Sequence, residues 1–388
     1  MTQVTKLFTV FFFLVAFTFT SAQTYNTFYG NTVNQVSASN ILNDLTTFEN
    51  FGTKQIGQNA LTATKDWLVS RYQSLGYTAI EEQPFSVSGT TAHNIIITKT
   101  GSLYPDTYVI IDAHYDTING PGTNDNGSGT VLLLEMARLL ANINTEYSIK
   151  FIHFSGEELG LIGSEYFVNN TVIPEDLDIK VVFNIDQVGG VNGTTNNRIY
   201  CEEDRSAPWN NNAASALATQ TLATCMALYS TLNTEISYAY GSDYVPFQNN
   251  GNIITGLYEK NESPYSHSPQ DLLENMDPNY LYQVTRGALG AALEFAVATN
   301  PLGVKSTLFT NGITITPNPA TNYVNITIAN ELQKNALITI YNVAGNAVYN
   351  STPTSAKQTV DVSRLQRGFY LITVQNGLQK TTKKLVLK

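Results

Sequence analysis

The sequence predicts an α/β fold, in which helices flank a mainly parallel central sheet, followed by a small all-β sandwich domain. Up to about residue 300, apolar strand-like runs alternate with helical patterns, as in a parallel sheet that is covered on both faces. Beyond that point, short strand-like runs are separated by Gly, Asn and Pro clusters, which is typical of an all-β domain. The charge changes at the same place, since residues 23–300 carry 29 acidic and 11 basic side chains, whereas residues 301–388 carry two acidic and nine basic ones.

The first 22 residues have the pattern of a secretory signal peptide. Lys6 is their only charged residue, an apolar run of about 14 residues follows it, and small residues precede Gln23. The run is shorter than the roughly 20 residues that cross a bilayer. We therefore expect a signal peptide at 1–22, an α/β domain at 23–300 and a β-sandwich at 306–388. The mature protein is expected to be secreted or on the cell surface after export through the periplasm, without a transmembrane segment.

The elements of both domains can be predicted in chain order. A helix is expected at 58–76, because its apolar residues recur at helical spacing and Gly76 follows them. Further helices are expected at Thr130–Ala141, Ala213–Tyr229 and Pro278–Thr299. Continuously apolar runs predict strands buried on both sides at Asn94–Thr98, Tyr108–Asp112, Ile149–Phe154, Lys180–Ile185 and Ile253–Leu257. In the sandwich, strands are expected at Val324–Ala329, Ala336–Val343, Gln358–Val362, Tyr370–Val374 and Lys383–Leu387.

The composition excludes several classes of function. A net charge of −10 gives no basic face for general nucleic-acid binding. Two cysteines cannot supply a disulfide framework or a four-thiolate zinc site, and they leave open whether Cys201 and Cys225 form a disulfide or remain buried thiols. The chain has four histidines and neither an H-E-x-x-H helix nor a G-x-S-x-G turn, so any metal chemistry must depend on carboxylates.

Polar residues stand directly after three successive predicted strands. His114 and Asp116 follow the second strand, Glu157 and Glu158 the third, and Asp186 the fourth. Because ligands bind at the carboxyl ends of strands in open α/β sheets, we expect these side chains to meet at one rim.

Two further residues are expected near this rim. Asp125 lies in a glycine-rich loop before the predicted helix at Thr130, and His267 follows the fifth strand after a loop. Taken singly, each of these residues is more often a turn or surface residue. Several carboxylates that converge without Lys or Arg repel one another unless a cation neutralises them, so together they predict a two-metal site with mixed His and carboxylate ligands.

Five sequence blocks in this order resemble the M28 family of zinc aminopeptidases, which has a zinc exopeptidase-like fold, over roughly residues 50–298. The blocks are I-D-A-H-Y-D-T (111–117), P-G-T-N-D-N-G-S-G (121–129), F-S-G-E-E-L-G-L-I-G-S (154–164), N-I-D-Q-V-G (184–189) and Y-S-H-S-P-Q-D (265–271). The resemblance implies a di-zinc aminopeptidase that acts on peptides with a free N-terminus. It implies that His114 and Asp186 hold one zinc, that Glu158 and His267 hold the other, and that Asp125 bridges the two.

The same resemblance implies roles outside the ligand set. Glu157 would be the general base that activates the water between the metals, and Asp116 would orient His114. A cis peptide is implied at Asp125–Asn126. His93 matches no ligand block and is interpreted as structural, as is His153.

One block departs from the family pattern. In G-S-D-Y-V-P-F (241–247), Tyr244 stands where the family commonly has His, so substrate contacts differ there. Tyr240 is a candidate donor to the oxyanion, and Tyr244 is a further candidate contact. Two alternatives to the aminopeptidase stay open: a glutaminyl cyclase on the same fold with one zinc, and an inactive, receptor-like relative that only binds partners.

The C-terminal domain resembles the sorting domains of type IX secretion over about residues 306–388. The resemblance is carried by T-P-N-P-A-T-N-Y (316–323), D-V-S-R-L-Q-R-G-F-Y (361–370) and K-K-L-V-L-K (383–388). It implies that the secretion machinery is a partner of this domain. A carbohydrate-binding or adhesive sandwich is the alternative, but no aromatic platform is evident in the sequence.

Overall fold

The computed structural model describes residues 23–299, 313–328, 336–343, 345–353, 355–376 and 379–388. The expected signal peptide at 1–22 lies outside these residues. By its internal contacts, the chain divides into two compact units, Met1–Thr299 and Asn300–Lys388.

In the first unit, helices lie on both faces of one central sheet. The helices are α1 (Thr27–Val33), α2 (Ala38–Asn50), α3 (Asn59–Ser74), α4 (Gly127–Leu140), α5 (Ile162–Phe167), α6 (Ile173–Glu175), α7 (Asn212–Tyr229), α8 (Tyr244–Asn249) and α9 (Pro278–Phe295). The strands are β1 (Ile80–Val87), β2 (Thr90–Lys99), β3 (Tyr104–His114), β4 (Asn144–Thr145), β5 (Tyr147–Phe154), β6 (Asp178–Ile185), β7 (Arg198–Glu203), β8 (Asn233–Tyr238), β9 (Ile254–Glu259) and β10 (Ala298–Thr299).

The central sheet has eight strands in the order β1-β2-β5-β3-β6-β9-β7-β8. The pairings from β5 through β3 and β6 to β9 are parallel, as is the pairing of β7 with β8. The remaining pairings are antiparallel, so the predicted α/β fold is confirmed, with a parallel centre inside a mixed sheet. β4 and β10 form a separate two-stranded ribbon, and the helix predicted to reach Thr299 ends before it, at Phe295.

Alternate residues of the central strands pack into two different cores. Val109 and Ile111 belong to a large apolar cluster with residues of α2, α3, α4, α7 and α9, whereas Ile110 belongs to a smaller cluster with residues of α5 and α8. Because both faces of the sheet are covered, β3 is apolar at successive positions. The sequence pattern detects such strands, but it misses β1, β7 and β8, which are partly exposed.

The second unit consists, in its described residues, of two small antiparallel sheets. One contains β11 (Ile313–Thr316), β12 (Tyr323–Ile328) and β15 (Lys357–Asp361), and the other contains β14 (Ala347–Ser351), β13 (Leu337–Asn342), β16 (Gly368–Asn376) and β17 (Gln379–Leu387). Side chains from both sheets form one apolar core that includes Val324, Ile340 and Leu385, so the predicted all-β sandwich is confirmed. The sequence pattern misses the short strands β11 and β14.

Two predictions about the whole chain can be checked on the described residues. Cys201 and Cys225 are both buried free thiols, and the Nε2 atom of Gln23 lies 3.0 Å from the Sγ atom of Cys225. The structure therefore has two buried thiols and not the disulfide that the sequence also leaves open. None of the helices within the described residues is both long enough and apolar enough to cross a membrane.

Candidate metal centre

Three neighbouring strands end at the same edge of the sheet and carry polar residues there. β3 lies between β5 and β6 and runs parallel to both. His114 is the last residue of β3, Glu157 and Glu158 begin a 3₁₀ turn just after β5, and Asp186 directly follows β6. The structure therefore brings these four side chains to one rim, the place where open α/β sheets bind their ligands.

The loop before α4 brings Asp125 to the same rim. Asn126 caps α4, because its side-chain oxygen accepts a hydrogen bond of 2.9 Å from the amide of Gly129. The side-chain amide of Asn126 donates to the carbonyl of Ile185 at 2.8 Å, which ties the loop to the end of β6. The Asp125–Asn126 peptide is cis, as the family resemblance implies.

Asp125 faces both histidines of the site. Its Oδ1 atom lies 3.4 Å from the Nε2 atom of His114, and its Oδ2 atom lies 3.2 Å from the Nε2 atom of His267. The Nε2 atom of His267 also lies 2.8 Å from the Oε2 atom of Glu158. A carboxylate with one oxygen toward each imidazole has the geometry of a ligand shared by two metals.

The other carboxylates complete two groups of ligand atoms. The Nε2 atom of His114 lies 3.4 Å from Oδ1 of Asp186 and 3.9 Å from Oε2 of Glu157. Ligand atoms of His114, Glu157 and Asp186 lie within 4.8 Å of one another, as do those of His114, Asp125 and Glu158. Both glutamates are thus within reach of a metal, and distance alone does not divide the roles of ligand and base between them.

The donor atoms of this site fit zinc. Four of the buried ones form no hydrogen bond with any of the described residues: Nε2 of His114, Oδ2 of Asp125, Oε1 of Glu158 and Oδ1 of Asp186. A buried polar atom without a partner costs about 1–3 kcal/mol, and this cost disappears if the atom coordinates a cation. Imidazole nitrogen and carboxylate oxygen are ligands that Zn²⁺ prefers.

The pKa shifts reflect an excess of negative charge at the rim. Burial, with nearby carboxylates, raises the pKa of Glu157 to about 10 and that of Glu158 to about 8. Although burial opposes a charged imidazole, Glu157 and Asp186 raise the pKa of His114 well above its usual value. The nearby carboxylate of Asp125, together with that of Glu158, raises the pKa of His267 to about 9. The groups therefore retain protons that a divalent cation would displace.

Asp116 lies close to His114, but its carboxylate mainly binds the turn that carries the two glutamates. The Nδ1 atom of His114 lies 3.1 Å from the backbone carbonyl oxygen of Asp116 and 3.8 Å from its carboxylate. The carboxylate accepts the amides of Glu157 at 3.2 Å and of Glu158 at 3.4 Å. Asp116 thus contacts His114 through its backbone and the glutamate turn through its side chain.

Two side chains that sequence reasoning did not single out support the ligands. The hydroxyl of Ser242 donates to Oδ2 of Asp186 at 2.7 Å. The carboxylate of Asp271 accepts the amides of Asn124 at 2.9 Å and of Asp125 at 3.0 Å. Asp271 ends the last block of the family resemblance, and Ser242 lies in the block at 241–247, so the sequence marked both neighbourhoods without indicating the role of either side chain.

Two more carboxylates are buried near the ligands. Asp112 and Asp243 are fully buried, and both oxygens of Asp112 lack a hydrogen-bond partner among the described residues. Burial raises the pKa of Asp112 well above its usual value and that of Asp243 to about 7. In the sequence, Asp112 is distinguished by being an acidic residue within the apolar run before His114.

The two candidate tyrosines occupy different environments. The ring of Tyr240 is 62% exposed, and its centroid lies 6.4 Å from that of Tyr258. Tyr244 is 1% exposed, and its hydroxyl donates to Oε2 of Glu202 at 2.8 Å. Tyr240 is therefore open to a substrate, whereas the phenol of Tyr244 lies beneath the surface.

The two remaining histidines lie outside the metal-ligand groups. His153 is fully buried, and its Nε2 atom lies 2.8 Å from the hydroxyl of Tyr72. His93 lies on β2, and its backbone carbonyl accepts the hydroxyl of Tyr115 at 2.8 Å.

Two family models match the chain. The model of peptidase family M28 matches residues 94–292, and the model of the secretion system C-terminal sorting domain matches residues 314–388. The chain is 33% identical to the aminopeptidase YwaD of Bacillus subtilis over 205 residues, which are 50% of this chain and 42% of that protein. It therefore spans less than half the length of this curated relative.

Solved structures share the fold of the first unit. The LapA aminopeptidase of Legionella pneumophila has a TM-score of 0.61 and 20% identity, over 72% of this chain and 78% of that one. The glutaminyl cyclase of Macrostomum lignano has a TM-score of 0.62 and 14% identity, over 71% of this chain and 94% of that one. At such identities the likeness concerns the fold alone, and the same fold is seen in proteins with both names.

Proposed function

The chain belongs to peptidase family M28, and on that premise we propose that it is a secreted di-zinc aminopeptidase that hydrolyses the N-terminal peptide bond of peptides. The observation that carries this proposal is Asp125, whose two oxygens lie 3.4 Å and 3.2 Å from the Nε2 atoms of His114 and His267. A one-metal site has no need of a carboxylate that faces two imidazoles.

The ligands divide into two sets that share Asp125. His114 and Asp186 would hold one zinc, and Glu158 and His267 would hold the other. Bound zinc supplies Lewis-acid activation of a water and of the scissile carbonyl. The four buried donor atoms without hydrogen-bond partners support this assignment.

Glu157 is proposed to carry the proton. Its carboxylate accepts the proton of the attacking water and then donates it to the leaving amine. Its Oε2 atom lies 3.9 Å from the Nε2 atom of His114, which supports a role beside the proposed ligands. Asp116 keeps Glu157 in place through the amide of that residue.

The charge of the site favours an exopeptidase. A peptide with a free N-terminus presents a cationic amine, which the carboxylates of the rim attract at close range. Tyr240, exposed and close to Tyr258, is proposed to contact the substrate. Its phenol can donate a hydrogen bond to an oxyanion.

The second unit directs the protein out of the cell. Its match to a secretion system sorting domain indicates export and a secreted or cell-surface location. We propose the type IX secretion machinery as the partner that recognises this domain.

An assay on the purified full-length protein tests the proposed activity. Aminoacyl-nitroanilides are supplied with and without a metal chelator, and a peptide with an N-terminal glutamine is supplied in parallel. We expect release of nitroaniline that chelator abolishes and added zinc restores.

Conversion of the glutamine peptide to its cyclised product, without hydrolysis of the anilides, would instead assign a glutaminyl cyclase. No turnover of either substrate by zinc-loaded protein would assign an inactive, receptor-like relative.

A further inference from the structure

A buried phenol and a buried carboxylate form a pair next to the metal centre. Tyr244 is 1% exposed and Glu202 is 3% exposed. The hydroxyl of Tyr244 donates to Oε2 of Glu202 at 2.8 Å and accepts the amide of Tyr240 at 3.3 Å. Tyr244 thus links β7, which carries Glu202, to the loop that precedes α8.

Gly256 provides the space for this pair. It lies on β9, opposite Glu202 on one neighbouring strand and opposite Asn184 on the other. A Cβ atom at this position would lie 2.9 Å from Cε1 of Tyr244 and 3.1 Å from Oε2 of Glu202. The phenol and the carboxylate therefore meet directly over a residue that has no side chain.

The loop between Tyr240 and Tyr244 carries a residue that hydrogen-bonds to a proposed metal ligand. Between Tyr240 and Tyr244 lies Ser242, whose hydroxyl donates to Oδ2 of Asp186 at 2.7 Å. The side-chain amide of Asn184 donates to the same hydroxyl at 3.0 Å. The other oxygen of Asp186, Oδ1, has no hydrogen-bond partner in the part of the chain that the structure describes, and it faces His114 at 3.4 Å.

We propose that the Tyr244–Glu202 pair is a positioning device that fixes the 240–244 loop, so that Ser242 keeps Asp186 oriented toward its metal. This inference rests on the proposed function, since it assigns Asp186 to a zinc ion. Without the phenol oxygen, the amide of Tyr240 and a buried oxygen of Glu202 both lose a hydrogen-bond partner, which is unfavourable for buried polar groups. The loop then relaxes, and Asp186 loses its orientation.

Zinc retention against a chelator, measured on the full-length protein, tests this inference. The variant Y244F removes only the hydroxyl, and we expect it to release one zinc at about tenfold lower chelator concentration, because partners of metal ligands typically contribute 10–100-fold to affinity. The variant G256A keeps both partners but forces them apart, so it should weaken zinc retention as well. Glu202→Gln retains an oxygen that accepts the phenol, and its zinc retention should stay near that of the wild type.

The matched control is Y77F. The hydroxyl of Tyr77 is also buried and donates to the carbonyl of Ala137 at 2.9 Å, which is not part of the metal site. We expect Y77F to lower the melting temperature without changing zinc retention.

Two outcomes would overturn the inference. The first is a Y244F protein that is less stable but holds both zincs like the wild type, as Y77F does. The second, which decides the case if Y244F does not fold, is wild-type retention by G256A. A wild type that binds two zincs without aminopeptidase turnover would reject the proposed function only, because the comparison of zinc retention remains readable.

Discussion

The two units of the chain bury very different side chains. In the described part of the sandwich, the buried polar residues are Thr339 and Thr373. The α/β unit buries many ionisable side chains, among them Lys54, Asp112, His114, Asp116, Asp125, His153, Asp186, Glu202, Asp243, Glu259 and Asp271. Burial of a charge costs several kcal/mol unless the group is paired or binds a metal. The contrast supports the placement of the proposed chemistry in the first unit, whereas the second unit matches a sorting domain.

Removal of the sandwich should have the largest effect, and it should change the location of the enzyme but not its catalysis. Deletion of residues 306–388 is expected to abolish delivery to the medium and to trap the enzyme in the periplasm. The specific activity should be unchanged, because all the proposed ligands lie between His114 and His267. Enzyme activity measured in medium and periplasm of a host with the type IX machinery checks both parts.

Normal release of the truncated enzyme into the medium would contradict the sorting role. A large loss of specific activity would mean that the sandwich also supports the fold of the α/β unit.

Replacement of the proposed base, Glu157, should have the next largest effect. This residue belongs to the first unit, and its replacement should lower kcat. Glu157→Gln keeps the size of the side chain but removes the proton acceptor. We expect kcat to fall by ~10²–10⁴, the usual contribution of a positioned proton carrier, while both zincs remain bound. Steady-state kinetics and metal analysis of the same preparation measure the two quantities.

Its matched control is Glu158→Gln, which changes the adjacent residue in the same way. This variant weakens a proposed ligand, so it should lower the occupancy of one zinc as well as the rate. If Glu157→Gln lost zinc and Glu158→Gln kept it, the two roles would be reversed.

A change in the core of the sandwich should affect stability but not catalysis. Ile340 is fully buried, and Ile340→Ala is expected to cost about 2–5 kcal/mol of the free energy of unfolding of that unit. Denaturant unfolding of the full-length chain measures the loss, and kcat should be unchanged. The control is Val343→Ala, because Val343 is 85% exposed. A fall of kcat in Ile340→Ala would show that the units depend on each other.

The smallest expected effect is an acid sensitivity of the first unit. Burial lowers the pKa of His153 to about 3, so the folded chain keeps this imidazole neutral while the unfolded chain protonates it below about pH 6.5. Stability is therefore lost as the pH falls from about 6.5 toward 3, by up to about 1.4 kcal/mol per pH unit. We expect His153→Gln to lose less stability than the wild type between pH 7 and pH 5.

Unfolding free energies at several pH values measure this difference, with His93→Gln as the control. Burial also lowers the pKa of His93, but that residue is only half-buried, so its effect should be smaller. Identical pH profiles of His153→Gln and the wild type would contradict the prediction.

The sequence predicts that polar residues meet at one rim of the sheet, and the structure brings them together there, because strand ends are local features. His114, Glu158 and Asp186 each follow an apolar run, and parallel strands that neighbour one another must present such residues at one edge. The sandwich is likewise predicted by its short runs and turns, although its strands β11 and β14 are missed.

The remaining parts depend on contacts between distant segments, which a single sequence does not encode locally. Glu202 lies on β7, a partly exposed strand that pairs antiparallel to β9, and neither its pairing nor its contact with Tyr244 follows from periodicity. Ser242 lies in the block at 241–247, but the sequence does not show that its hydroxyl contacts Asp186. The burial of Tyr244 likewise depends on the space above Gly256, which is a property of the folded sheet.

Diffraction from crystals of the purified protein at the zinc absorption edge would show directly how many zinc ions the rim binds. We expect two anomalous peaks per chain, one between His114 and Asp186 and the other between Glu158 and His267, with Asp125 contacting both. A single peak, or peaks that do not contact Asp125, would contradict the di-zinc centre and with it the proposed division of roles at the rim.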